Sequence, residues 1–95
     1  LNDLAEVLLQ HQGVISVEGH TDNRPISSKR FPSNWELSSG RATTVTRSLI
    51  DRDLDSAQLR AVGYADTRPL ESNNTPEGRA RNRRVSLILE FPQGQ

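Results

Sequence analysis

The sequence predicts a two-layer α/β domain with helices packed on one face of a small sheet. Three observations predict it. Apolar residues recur at helical spacing at the start of the chain and again between residues 33 and 51. Three short runs, residues 14–18, 60–64 and 85–91, are rich in β-branched or apolar residues and have strand character. The resulting order is helix, strand, helix, strand, short helix, strand. Each of the two longer helices carries one apolar stripe, which suits cover on one side of a sheet.

In chain order, Leu1, Leu4, Ala5, Leu8 and Leu9 form the stripe of the first helix, which His11-Gln12-Gly13 ends, with Gly13 as its C-terminal cap. Val14-Ile15-Ser16-Val17-Glu18 is the first strand, closed by Gly19, so that His20-Thr21-Asp22 stands at its C-terminal end. Residues 23–32 hold Pro25 and Pro32 and make an exposed loop. Ser33 and Glu36 fit a capping box for a helix running to about Asp51, with Leu37, Ala42, Val45, Leu49 and Ile50 on its core side. Residues 54–59 are a connector with Asp55 as a cap, and residues 60–64 the second strand. A polar loop over 65–74 leads to a short helix begun by Thr75 as cap and Pro76 at the first helical position. Residues 85–91 are the last and most apolar strand, stopped by Pro92.

Ninety-five residues suit one domain, taken here as 1–95. A chain of this size buries about two-thirds of its unfolded surface, enough for one core. Twelve basic residues balance twelve acidic ones, which argues against broad electrostatic binding to nucleic acid. The absence of cysteine excludes a disulfide scaffold and a thiolate metal site. No apolar run approaches the roughly 20 residues of a membrane span. The chain does not begin with Met and Leu1 already lies in a helical pattern, so it reads as a piece of a longer protein whose address and anchor lie upstream.

The chemistry concentrates between Gly19 and Arg41. Asp22 at a strand end stands where α/β sheets bind ligands. Arg41, in the first turns of the next helix, presents a planar donor fork that holds a carboxylate bidentately. The two together can grip a zwitterion, with Asp22 taking the ammonium and Arg41 the carboxylate. The same residues also suit a plain ion pair, Asp22–Arg41 or Asp22–Arg83, that ties loop to helix. Thr21 and Asn34 can add neutral hydrogen bonds or serve only as turn and helix-start residues. His20-x-Asp22 with one further histidine, His11, is a poor metal set, and His20 reads as a hydrogen-bonded strand-end residue. None of the serines sits in G-x-S-x-G. Arg79, Arg81, Arg83 and Arg84 read as a solvated face, with Arg83 turned toward Asp22 or helix carbonyls. Trp35 reads as packing loop 23–32 against the body.

Four blocks carry a family resemblance: Gly19-His20-Thr21-Asp22; Asn34 with Leu37-Ser38 and Arg41-Ala42; Gly63-Tyr64; and Thr75 through Val85. In this order they resemble the OmpA-like peptidoglycan-binding domain. The long loop, with Asn23-Arg24-Pro25-Ile26 and Phe31 through Ser38, resembles the flagellar stator (MotB) branch. The resemblance implies a small mixed sheet. It implies non-catalytic binding of the diaminopimelate of a peptidoglycan stem peptide, with no cofactor and no metal. Asp22 and Arg41 would take its ammonium and carboxylate, and Thr21, Asn34, Leu37 (through its backbone) and Arg83 would line the pocket. It further implies a homodimer in the periplasm, held in the inner membrane by a single upstream span beside a MotA-type channel subunit. The alternative is a lipoprotein- or OmpA-type envelope anchor unconnected with motility. The sequence departs from the family in two places. The family's opening strand is not in it, and Gly40 stands where members often carry a larger residue.

Overall fold

The computed structural model describes residues 2–91, and within the first helix the side chains of Asn2, Asp3 and Ala5 lie outside that description. The expectations on Leu1, Ala5 and Pro92 therefore fall outside the described residues. Seven elements follow one another: α1 (Asn2–Gln10), β1 (Ile15–His20), α2 (Asn34–Asp51), a 3-10 turn (Ser56–Gln58), β2 (Leu59–Gly63), α3 (Pro76–Asn82) and β3 (Arg84–Leu89). The sheet is mixed and three-stranded, in the order β2-β1-β3. Strand β1 runs parallel to β2, with Ile15 opposite Leu59 and Gly19 opposite Gly63. It runs antiparallel to β3, with Ile15 opposite Leu89 and His20 opposite Arg84.

The core lies between β1 and α2. Leu8, Ile15, Val17, Ala42, Leu49 and Leu54 are buried together, with Val45, Leu59, Val85, Leu87 and Leu89 packed against them. At Gly19 the two layers approach closely. A β-carbon there would stand 2.1 Å from the Ser38 carbonyl oxygen, so only glycine lets α2 lie this close to β1.

Local chemistry places the helix starts. Ser33 caps α2: its hydroxyl accepts the Trp35 amide at 3.2 Å and donates to the Glu36 carboxylate. Thr75 caps α3 through the Gly78 amide at 3.0 Å, with Pro76 beginning the helix. Asp55 caps the 3-10 turn through the Ala57 amide.

Several expectations are corrected. Of the α1 stripe, Leu8 is buried, but Leu4 and Leu9 are 45% and 50% exposed, and among the described side chains of the helix Leu8 alone joins the core cluster. Of the residues expected on the core side of α2, Ala42 and Leu49 are buried and Val45 packs against them, but Ile50 is exposed and Leu37 lies outside the core cluster. Strand β3 ends at Leu89 rather than residue 91, and Phe91 is 75% exposed. Gly13 does not cap α1 with a left-handed residue. It gives room to the residue just past β3, since a β-carbon there would stand 1.8 Å from the Glu90 carbonyl oxygen.

Candidate functional site

The C-terminal end of β1 is tied to its neighbours by backbone bonds that outlast the strands. The Tyr64 amide donates to the Gly19 carbonyl at 3.0 Å, and the Thr21 amide to the Ala65 carbonyl at 2.8 Å. The Ser38 hydroxyl then joins α2 to the same corner, accepting the Ala65 amide at 3.0 Å and donating to the Trp35 carbonyl. Asp22 leaves this corner as a buried residue. On its other side the antiparallel register that pairs His20 with Arg84 brings Arg83 alongside.

A cleft of about 290 Å³ opens there, lined by Thr21, Asp22, Arg24, Pro25, Ile26, Asn34, Leu37, Arg41 and Arg83. All six residues singled out in the sequence line it. The ion pair that forms is Asp22–Arg83, with Arg83 Nη1 donating to Asp22 Oδ2 at 2.6 Å. Asp22 Oδ1 accepts the Arg24 amide at 3.0 Å, an Asx turn that also bends the loop. Burial pushes the Asp22 carboxyl up. The Arg24 amide and the hydrogen bond and charge of Arg83 outweigh it and hold the group below its ordinary value. Asp22 is therefore ionised and fixed in place, and each oxygen keeps a second lone pair for a ligand donor.

Arg41 is exposed, and among the described residues its guanidinium makes no ion pair or hydrogen bond. Three guanidinium groups line the cleft against one carboxylate, a net charge of +2. The N-terminal end of α2 faces the same space and adds to the attraction for anions.

The neutral groups are more committed than the sequence suggested. The Thr21 hydroxyl donates to the Asp22 carbonyl at 2.8 Å, which shapes the turn. The Asn34 side-chain amide donates to the Arg24 carbonyl at 3.0 Å and, at 3.4 Å, approaches that of Asp22, holding the loop on the helix. The Leu37 amide donates to the Ser33 carbonyl at 3.1 Å, so it is not free for a ligand, and Leu37 lines the cleft without it. Arg24, Pro25 and Ile26 were not picked out as site residues. The signal was there in Asp22 followed two residues later by an amide that its side chain can accept.

His20 lies on the other face of β1, not in the cleft. It is buried and stacked on Tyr64, with ring centroids 5.2 Å apart, and its Nδ1 has no hydrogen-bond partner. The reading of His20 as a hydrogen-bonded residue is thus corrected. Among the described residues no group of three His, Cys, Asp or Glu side chains is placed to hold a metal ion. Trp35 does not pack the loop either: it is 52% exposed, and Phe31 packs against α2 in its place.

Of the arginines near α3, Arg81 stays on the exposed face as expected, while Arg79 and Arg84 are structural. Arg79 bonds the Asn73 carbonyl, and Arg84 those of Asn82 and Arg68. A larger cleft of about 650 Å³ lies at the other end of β1, and several of its polar groups bond one another. There Gln58 donates to the carbonyls of His11 and Gly13, and His11 Nε2 pairs with the Glu90 carbonyl.

Matched against known families, residues 1–83 fit the OmpA family. The chain belongs to the OmpA family. This OmpA-family domain is 44% identical over 81 residues to Motility protein B of Bacillus subtilis, covering 84% of this chain and 31% of that protein. Its fold superposes on the C-terminal domain of Helicobacter pylori MotB with a TM-score of 0.87 at 30% identity, covering 95% of this chain and 70% of that one. It matches the cell wall anchor of the T6SS from Pseudomonas aeruginosa with a TM-score of 0.81 at 45% identity, over 88% of this chain and 59% of that one. The domain spans about a third of the length of the curated relatives it matches. None of its described helices is long and apolar enough to cross a membrane.

Proposed function

We propose that this domain binds peptidoglycan without turning it over, gripping the zwitterionic centre of diaminopimelate in a stem peptide. The observation that carries this reading is a fixed, ionised Asp22 in the same cleft as the uncommitted Arg41. The ligand ammonium goes to the free lone pairs of Asp22 and its carboxylate to the Arg41 fork. Arg83 keeps Asp22 charged and aimed, and Asn34 and Thr21 hold the loop that walls the cleft. Binding rather than catalysis fits the lining: it contains no histidine, and the hydroxyl of Thr21 is spent on a backbone carbonyl. The +2 charge favours a ligand carrying more carboxylate than ammonium.

In the whole protein the domain would anchor a stator complex of the Motility protein B type to the cell wall. That reading puts it in the periplasm as a dimer, with an upstream inner-membrane span beside a MotA-type channel subunit. Likeness to the cell wall anchor of a secretion system favours a second reading, an envelope anchor outside motility. The sequence upstream separates the two: a single span with an acidic residue means a stator, and a lipidated cysteine or a β-barrel means the second. The site is tested by titrating the domain with a diaminopimelate-containing stem peptide, followed by amide NMR. Shifts centred on Asp22, Asn34 and Arg41 support it, and unchanged binding by both Asp22→Ala and Arg41→Ala overturns it.

A further inference from the structure

A second cleft, about 450 Å³, adjoins the first and shares two of its residues, Leu37 and Arg41. Leu37, Val45 and Val85 supply aliphatic walls, Thr44 and Gly40 belong to α2, and Phe31 and Arg30 come from the loop. The loop is built to put Phe31 there. The Ser28 hydroxyl accepts the Phe31 amide at 2.9 Å, and the Ser28 amide donates to the Phe31 carbonyl at 3.0 Å. The Phe31 ring then lies over Gly40, where an added β-carbon would stand 3.0 Å from its edge. Arg30 sits over the same ring, 5.2 Å from its centroid. Gly40 is thus the seat of Phe31.

We propose that this cleft is a second ligand subsite, taking a short aliphatic residue with a free carboxylate that is joined to the other centre of the clamped diamino acid. The proposal rests on the clamp reading of Asp22 and Arg41. Both ionisable groups in the lining, Arg30 and Arg41, are guanidiniums, so a carboxylate is attracted and an ammonium repelled. The aliphatic walls and the Phe31 ring suit a methyl group rather than a polar side chain. Because Arg41 and Leu37 border both spaces, the methylene chain of a diamino acid that leaves the clamp past Arg41 brings its other centre to this one. In a wall stem peptide alanine is joined to the carboxyl of that other centre, and it offers the methyl and, at the chain end, the carboxylate.

The test is a calorimetric titration with two soluble stem peptides, a tripeptide ending in diaminopimelate and a tetrapeptide adding the alanine. The tetrapeptide is expected to bind about five- to thirty-fold more tightly, from one buried methyl and one exposed ion pair. Thr44→Phe, which fills the cleft from an exposed helix position, and Phe31→Ala, which removes its wall, should each close that gap while tripeptide binding stays as it was. Should one variant lose tripeptide binding, the other decides. Equal binding of the two peptides by the unaltered domain, or a gap that survives both substitutions, overturns the subsite and leaves the clamp standing. Failure of both peptides to bind overturns the clamp and the subsite with it.

Discussion

Asp22 is paired with Arg83, at 2.6 Å across 61 residues of sequence, and not with Arg41. The two arginines of the cleft therefore do different work. Removing Arg83 strips a buried carboxylate of its partner, at a cost of about 1–2 kcal/mol, discounted because the Arg83 side chain is itself half exposed. Removing Arg41 breaks no bond among the described residues. Arg83→Ala should lower both the urea midpoint and affinity for the stem peptide, whereas Arg41→Ala should lower affinity and leave the midpoint unchanged. Equal losses of stability in the two variants would contradict this division.

Asn82 is fully buried and holds loop 70–73 with all its side-chain groups. Its Oδ1 accepts the amides of Leu70 at 2.8 Å and Glu71 at 3.0 Å, and its Nδ2 donates to the Glu71 carbonyl and to Asn73 Oδ1. Asn82→Ala should cost about 2–4 kcal/mol, because several buried polar groups lose their partners together. Hydrogen exchange should quicken at Leu70 and Glu71 beyond the global change.

Gly19→Ala places a methyl 2.1 Å from the Ser38 carbonyl oxygen, in backbone that cannot swing aside. The two layers must part at the corner that holds Thr21 and Asp22. Thermal denaturation should show a loss of about 3 kcal/mol or more, at or above the usual range for overpacking. Stem-peptide affinity should fall with it, measured below the melting transition.

The parts of this architecture that were legible in the sequence are those made by neighbours. Ser33, Asp55 and Thr75 announce their caps because a side chain reaches an amide two or three residues away. The strands of β1 and β3 are legible from their composition, though their ends move by one or two residues. What was not legible needs a partner from far along the chain. The spacing of Leu4, Leu8 and Leu9 says that they share a face, not that anything covers it, and only Leu8 is covered. Nothing local separates Trp35 from Phe31 as the ring that lies on α2, since the choice depends on where the loop returns. In the site, residue types carried Asp22 and Arg41, but the preference of Asp22 for Arg83 follows from the β1–β3 register, which no local pattern encodes.

His20 gives the fold a pH dependence whose direction can be worked out. Burial, and then the positive charge of Arg84, hold the imidazole below its ordinary value of 6.5, against a smaller opposing pull from Glu18. The unfolded chain therefore binds a proton before the folded one does. Stability should be level above about pH 7 and fall as pH drops below 6.5, until the depressed folded value is reached, by at most about 1.4 kcal/mol per pH unit. Asp22 acts in the same sense but lower. Its depressed carboxyl contributes stability above the ordinary carboxylate value, lost only in more acidic solution, as pH falls through its folded value. The two windows do not overlap between pH 5.5 and 7.5. Urea midpoints across that interval should decline toward the acid side in the unaltered domain and flatten in His20→Gln, which keeps a polar side chain of similar size but does not titrate. An undiminished decline in the variant would move the effect to another group.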